Sequence, residues 1–150
     1  MNKNNKNRRG LVFDTYNLRK KGFPVNNNKN LIKLGNLLIK NLILYKGLGL
    51  SSIQLKTNVQ VYCIYYGKIP CLFWNIVISS YTKCRGYANT EACLSIPKIN
   101  FRGMLRYCNC SFYFTDSFKN LNTVTRVIKA LPLFIHETDH LNGYCLLKYL

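Results

Sequence analysis

The stretch that decides the fold is His136-Glu137-Thr138-Asp139-His140. On a helix, residues four apart lie about 40° apart around the axis and one turn along it, so both imidazoles face one way and can share a metal ion. Glu137 then lies close enough to act on a water bound to that ion. The chain has two histidines, and both are in this stretch. We therefore predict a metal site here; the alternative is an amphipathic helix that carries two surface histidines.

The third ligand of this site is not fixed by the residues alone. A catalytic zinc or iron site usually takes three protein ligands and leaves a position for water. In the pattern HExxHxxGxxH the last histidine supplies that ligand, but this chain has Leu146 there. Few residues follow His140, so we expect the ligand upstream. Because no histidine is left, it must be a Cys, an Asp or a Glu.

The remaining patterns indicate an α+β fold in which small antiparallel or mixed sheets surround the central HExxH helix. Apolar residues recur at intervals of three and four over residues 30–45, which predicts a helix. The HExxH helix is expected over 131–141, because Pro132 fits a first turn and Asn142-Gly143 fits a C-terminal cap. Runs of β-branched and aromatic residues predict the strands. The predicted strands span 59–66, 71–79, 104–115 and 123–128.

The composition suggests one domain with a basic tail. Residues 1–10 are predicted to be a disordered tail and residues 11–150 the catalytic domain. The chain carries 22 Lys and Arg against five Asp and Glu, a formal net charge of +17. This charge favours polyanions such as RNA, but a genome that uses Lys, Asn, Ile and Tyr codons freely is the preferred explanation over a dedicated nucleic-acid site.

The sequence also predicts a cytoplasmic location. No run of 18 or more apolar residues argues for a membrane span, and the tail lacks the apolar segment of a secretory signal. Seven cysteines, an odd number without a CxxC pair, favour a reducing compartment over a disulfide framework. We expect bacterial or phage-infected host cytoplasm, with an organelle as the alternative.

Three motifs together resemble the peptide deformylase family. Glu91-Ala92-Cys93-Leu94-Ser95 is similar to the family's EGCLS motif, and Gly47-Leu48-Gly49-Leu50-Ser51-Ser52-Ile53-Gln54 to its GxGLAAxQ motif. The stretch from His136 to Gly143 resembles HExDHLxG. The motifs occur in the family order, and the resemblance covers about residues 11 to 150.

The resemblance implies a metal-dependent hydrolase that removes the formyl group from formylmethionyl nascent peptides. Cys93, His136 and His140 are then the metal ligands, with Fe²⁺ favoured and Zn²⁺, Ni²⁺ or Co²⁺ as alternatives. Glu137 would handle the protons. The side-chain amide of Gln54 and the backbone N–H of Leu94 would stabilise the developing oxyanion.

The resemblance also implies how substrate and ligands are held. The peptide would add alongside strand backbone near Gly49 and Ala92. A pocket for the Met side chain is expected from Leu48 and Leu133, with Phe134 as a further candidate. Around the ligands, Glu91 and Arg102 are expected to pair and fix ligand orientation, the alternative for Arg102 being a solvated turn residue.

Four departures from the family pattern leave other functions open. Ala92 replaces a Gly, Ser51-Ser52 replaces two Ala, and Pro132 stands where the family helix is normally under way. The chain stops at Leu150, which predicts a short, phage-like form without the C-terminal helix of many deformylases. A degenerate deformylase-like protein that binds metal without turnover, or a hydrolase of another N-acyl peptide, is the alternative. We expect a monomer, no membrane contact, and a ribosome contact through the basic charge.

Overall fold

The structure is a computed structural model that describes residues 15–26, 29–83, 89–104, 106–116, 121–124 and 131–146. Three α-helices and seven β-strands lie within these residues. The predicted tail, residues 1–10, lies outside them. In the described part of the chain, no helix has both the length and the apolar character needed to cross a membrane.

Two of the three helices were predicted from sequence. Helix α1 covers Thr15–Leu18, α2 covers Lys29–Leu44 and α3 covers Leu131–Leu141. The predictions of helices over 30–45 and 131–141 are therefore confirmed, and the four-residue α1 was missed. The buried stripe of α2 follows the predicted helical spacing: Leu31, Gly35, Leu38, Asn41 and Leu42.

The strands form two antiparallel sheets. The five-stranded sheet has the order β1-β2-β3-β6-β7, and β4 pairs with β5 in a separate two-stranded sheet. The strand bounds are Gly49–Ser51 (β1), Val61–Tyr66 (β2), Ile69–Lys83 (β3), Asn89–Cys93 (β4), Ile96–Met104 (β5), Tyr107–Asp116 (β6) and Leu121–Val124 (β7). This confirms the predicted α+β class with small sheets.

The predicted strands correspond to β2, β3, β6 and β7 with shifted ends. The expected strand at 104–115 begins later, because Met104 belongs to β5 and β6 starts at Tyr107. The last predicted strand, 123–128, overlaps β7 at 123–124, and residues 125–128 lie outside the described residues. The residue patterns did not predict β1, β4 or β5, although the resemblance implied strand backbone near Gly49 and Ala92, which lie in β1 and β4.

Strand β2 is buried on both faces because a helix covers each one. Side chains alternate along a strand, so Val61 and Cys63 pack with α2 while Tyr62 and Ile64 pack with α3. Tyr62 forms an aromatic cluster with two partners that lie close to its ring, Phe73 and Phe134. The sheet therefore fixes the position of α3 through this apolar face.

Both ends of α3 are defined by residues with clear conformational roles. Pro132 lies in the first turn, as predicted, where its missing N–H removes no helical hydrogen bond. At the other end Gly143 has φ +78°, the left-handed conformation that the predicted cap requires. A Cβ on Gly143 would also overlap the carbonyl oxygen of Arg19. The same end of α3 is bound by a hydrogen bond from the Gly22 N–H to the Leu141 carbonyl oxygen at 2.8 Å.

Candidate metal centre and active site

Three side chains from two elements meet in the interior. His136 and His140 lie one turn apart on α3, and Cys93 is the last residue of β4. Their candidate ligand atoms all lie within 4.8 Å of one another, and Cys93 Sγ is 3.3 Å from His140 Nε2. All three residues are buried. The fold thus brings together the three residues that the sequence motifs indicated as metal ligands.

The chemistry and spacing of this group fit a divalent metal ion. In a tetrahedral zinc site, with Zn–S of about 2.3 Å and Zn–N of about 2.0 Å, sulfur and nitrogen lie roughly 3.5 Å apart. The separation between Cys93 and His140 is close to this value. Burial lowers the pKa of His140 well below its usual value, so its imidazole is neutral, as a metal ligand must be. Burial also disfavours the charged form of His136, but its hydrogen bonds with Cys93 and Glu91 raise its pKa to about 10, so a metal ion that binds here must displace a proton from this imidazole.

An ion-pair network contacts His136 through the Nδ1 atom of its imidazole. Glu91 Oε2 lies 3.2 Å from His136 Nδ1, and Arg106 donates to both Glu91 oxygens, at 2.5 and 2.6 Å. Arg106 also donates to Asp139 Oδ2 at 2.7 Å. Burial by itself would raise the pKa of Glu91, but the bonds from Arg106 and His136 lower it to about 2. The carboxylate therefore stays ionised and can fix the orientation of the imidazole.

The predicted pairing of Glu91 with Arg102 is wrong. Glu91 lies opposite the buried Phe101 in the two-stranded sheet, and side chains alternate between faces along a strand. Arg102 therefore lies on the other face, where it is exposed. Sequence reasoning missed Arg106. The buried Glu91 and the half-buried Asp139 together require a cation, but the sequence does not indicate which arginine supplies it.

Glu137 is buried beside the metal ligands and lines a pocket. Burial raises its pKa to about 7, and its Oε2 has no hydrogen-bond partner among the described residues. Gly49 lies so close that a Cβ there would overlap Glu137 Oε1 and lie 2.9 Å from Leu133 Cδ1. A carboxyl group that titrates near neutral pH is suited to accepting and returning a proton.

The side-chain amide of Gln54 is oriented at both ends. Its oxygen accepts hydrogen bonds from the Ser51 backbone N–H at 2.9 Å and from Ser51 Oγ at 3.2 Å. Its nitrogen lies 3.1 Å from Ser95 Oγ and 3.5 Å from Cys93 Sγ. The amide nitrogen therefore points toward the metal ligands. Leu94, the other predicted oxyanion residue, also lines the pocket.

The pocket has a volume of about 750 Å³ and lies between two strand edges. One wall includes β1, an edge strand of the five-stranded sheet, and another includes β4 of the two-stranded sheet. The four residues predicted to bind substrate, Leu48, Gly49, Ala92 and Leu133, all line it. Phe134 does not, because it is buried in the aromatic core cluster.

The chain is similar in sequence to known deformylases. The family model described as polypeptide deformylase matches residues 11–150. The chain belongs to this family. Among curated proteins, the peptide deformylase of Buchnera aphidicola subsp. Schizaphis graminum is 32% identical over 129 residues, which cover 81% of this deformylase and 73% of the relative.

Solved structures of deformylases share the fold of most of this chain. The peptide deformylase from Thermotoga maritima superposes with a TM-score of 0.84 at 26% identity, covering 93% of this chain and 95% of that chain. A probable peptide deformylase from Synechococcus phage S-SSM7 gives a TM-score of 0.81 at 25% identity, covering 93% and 99%. Similar structures therefore include one of phage origin.

The departures of this deformylase from the family motifs are compatible with its geometry. Ala92 is not among the described non-glycine residues with positive φ, so its methyl group causes no backbone strain there. Ser51 and Ser52 fit their buried positions, as expected. They also add hydrogen bonds that alanines cannot make, from Ser51 Oγ to Gln54 and from Ser52 Oγ to Val59 O at 2.5 Å.

Proposed function

We propose that this deformylase removes the N-terminal formyl group from formylmethionyl peptides by metal-assisted hydrolysis. The observation that carries the proposal is the convergence of Cys93, His136 and His140 within 4.8 Å. Glu137 lines the same pocket as Cys93 and His136, in a chain that belongs to the deformylase family.

The three ligands would hold one divalent cation, with Fe²⁺ proposed over Zn²⁺, Ni²⁺ and Co²⁺. When bound, such a cation lowers the pKa of a water molecule and polarises a carbonyl oxygen. Glu137 would take a proton from the attacking water and later deliver it to the amine that leaves. Water is consumed, the C–N bond of the formamide breaks, and formate and a free amino terminus are the products.

Two groups would stabilise the oxyanion that forms on the formyl oxygen. The Gln54 amide nitrogen is held toward the metal ligands by the bonds from Ser51 to its oxygen. The backbone N–H of Leu94, next to Cys93, is proposed as the second donor. Removal of one such donor typically lowers kcat about 10²- to 10³-fold.

The peptide would bind as an added strand between the two edges that form the pocket. An extended peptide can pair with backbone near Gly49 on one side and Ala92 on the other, which tolerates many sequences. The Met side chain would pack against Leu48 and Leu133. Leu48 is 69% exposed, so it has apolar surface to bury on binding.

We further propose that the protein acts as a monomer in the cytoplasm and contacts the ribosome through its positive charge. The +17 net charge supports this partner, because contacts to RNA phosphates depend on Lys and Arg. Co-sedimentation with ribosomes should weaken steeply as salt is raised. Association that does not change with salt would contradict an electrostatic contact.

The experiment that tests the activity compares the parent protein with Glu137→Ala and Glu137→Gln after anaerobic purification. We expect parent and variants to retain one metal ion per chain, and only the parent to release formate from formyl-Met-Ala. A panel with acetyl-Met-Ala tests whether the formyl group is the preferred acyl group. Equal activity of parent and variants, or a metal-loaded parent without turnover, would contradict the proposal.

A further inference from the structure

Lys46 lies at the lip of the pocket in an unusual backbone conformation. It follows the C-terminus of α2, lines the pocket and is exposed. Its φ is +52°, in the left-handed region. Glycine or asparagine adopts this conformation more readily than lysine does. A long cationic side chain thus lies at the mouth of the site, on a backbone that does not favour it.

The charge of Lys46 is not neutralised within the described structure. Among the residues whose side chains are described, the carboxylates are Glu91, Glu137 and Asp139. Glu91 and Asp139 are bound by Arg106, and Glu137 is buried next to the metal ligands. The ion pairs of the described residues do not include Lys46. An anionic ligand group at the lip therefore meets an ammonium group that has no ion pair with the described carboxylate side chains.

The position of Lys46 relates it to a defined part of a bound peptide. Gly49 lies against Glu137, where the reaction takes place, and Gly47 lies against Leu94. Lys46 is three residues before Gly49, at most about 11 Å along the backbone. A peptide that pairs antiparallel with this segment has its formyl end near Gly49 and its following residues near Lys46.

We propose that Lys46 determines specificity by favouring Asp or Glu at the second or third residue of the formylated peptide. The proposal rests on the proposed function for the orientation of the peptide. An exposed ion pair contributes modestly, so the preference over the neutral amides Asn and Gln is about two- to fivefold in kcat/KM. Because the pair is exposed, the preference shrinks as salt is raised.

The test measures kcat/KM for two isosteric peptide pairs, formyl-Met-Ala-Asp against formyl-Met-Ala-Asn, and formyl-Met-Asp-Ala against formyl-Met-Asn-Ala, all amidated at the C-terminus. The variants are Lys46→Asn and Lys46→Asp, because both residues tolerate positive φ. The matched control is Lys56→Asn. Lys56 is also an exposed lysine in the left-handed region, with φ +61°, but it does not line the pocket.

We expect the parent and Lys56→Asn to prefer the acidic member of at least one pair, mainly through KM. The ratio should fall to about one in Lys46→Asn and invert in Lys46→Asp. An unchanged ratio in Lys46→Asn overturns the proposal. Calorimetric measurement of the binding of the same peptides separates the proposed charge preference of Lys46 from the proposed deformylase activity. If the peptides bind with a charge preference that depends on Lys46 but are not turned over, the role of Lys46 is supported and the proposed activity is refuted. If the peptides are turned over without that preference, the activity is supported and the role of Lys46 is refuted.

Discussion

Replacement of Arg106 by glutamine tests the ion-pair network behind the metal ligands. The Arg106 side chain is 6% exposed and binds two carboxylates, of which Glu91 is 7% and Asp139 25% exposed. Breaking a buried pair by removing one partner costs about 3–5 kcal/mol, because the other charge is left buried and uncompensated. We therefore expect Arg106→Gln to lower the free energy of unfolding at pH 7 by about 3–5 kcal/mol.

The lowered pKa of Glu91 gives an independent magnitude. Its fall from 4.5 to about 2 corresponds to about 3 kcal/mol, shared between Arg106 and His136. Since the folded pKa lies below the unfolded value, this stabilisation is complete above about pH 4.5 and is lost as the pH falls toward 2. The difference between parent and Arg106→Gln should therefore narrow in acid.

Urea unfolding at fixed metal content measures the change in the free energy of unfolding caused by Arg106→Gln. The chain has a single tryptophan, Trp74, which is buried in the core that α2 covers, so its fluorescence reports unfolding. Arg102→Gln is the matched control, because Arg102 is exposed and should change the free energy of unfolding by less than about 0.5 kcal/mol. Equal destabilisation by the two variants, or a difference that does not depend on pH, would refute the reasoning.

Two further substitutions test the pocket itself. Gly49→Ala places a methyl group against the Glu137 carboxyl group. We expect at least a tenfold loss of kcat with metal content unchanged. A kcat equal to that of the parent would show that the close approach of Gly49 to Glu137 is not needed. Ser51→Ala removes one of two hydrogen bonds to Gln54, and since such a bond contributes about 0.5–1 kcal/mol, kcat should fall about two- to fivefold. For Ser51→Ala, unchanged kcat with parental thermal stability would mean that the backbone bond alone orients the amide.

The sequence predicted α3 and its ligand face well because local rules define them. The four-residue spacing of His136 and His140 fixes their common face, and Pro132 and Gly143 mark the ends. Cys93 is different, because it lies 43 residues before His136 and on another element. Residue chemistry alone left Cys, Asp and Glu open, and only the family motif indicated the cysteine.

The parts that sequence missed depend on tertiary pairing. Strand β1 has three residues, too few for a period of two, and it exists because it pairs with β2. The choice between Arg102 and Arg106 likewise depends on the register of β4 against β5, which places Glu91 opposite Phe101. A strand as short as β1, or the register of β4 against β5, leaves no periodic pattern in the sequence from which it could be predicted.

The contacts of α3 with residues 19–22 couple a surface segment to the metal centre. Gly22 binds the carbonyl of Leu141, the residue after His140, and Arg19 lies against Gly143. We expect a pull on residues 19–22, for example from a tether or an immobilising resin, to reach the last turn of the ligand helix through these two contacts. Metal occupancy, rather than yield alone, is therefore the property to monitor when the amino terminus is engineered.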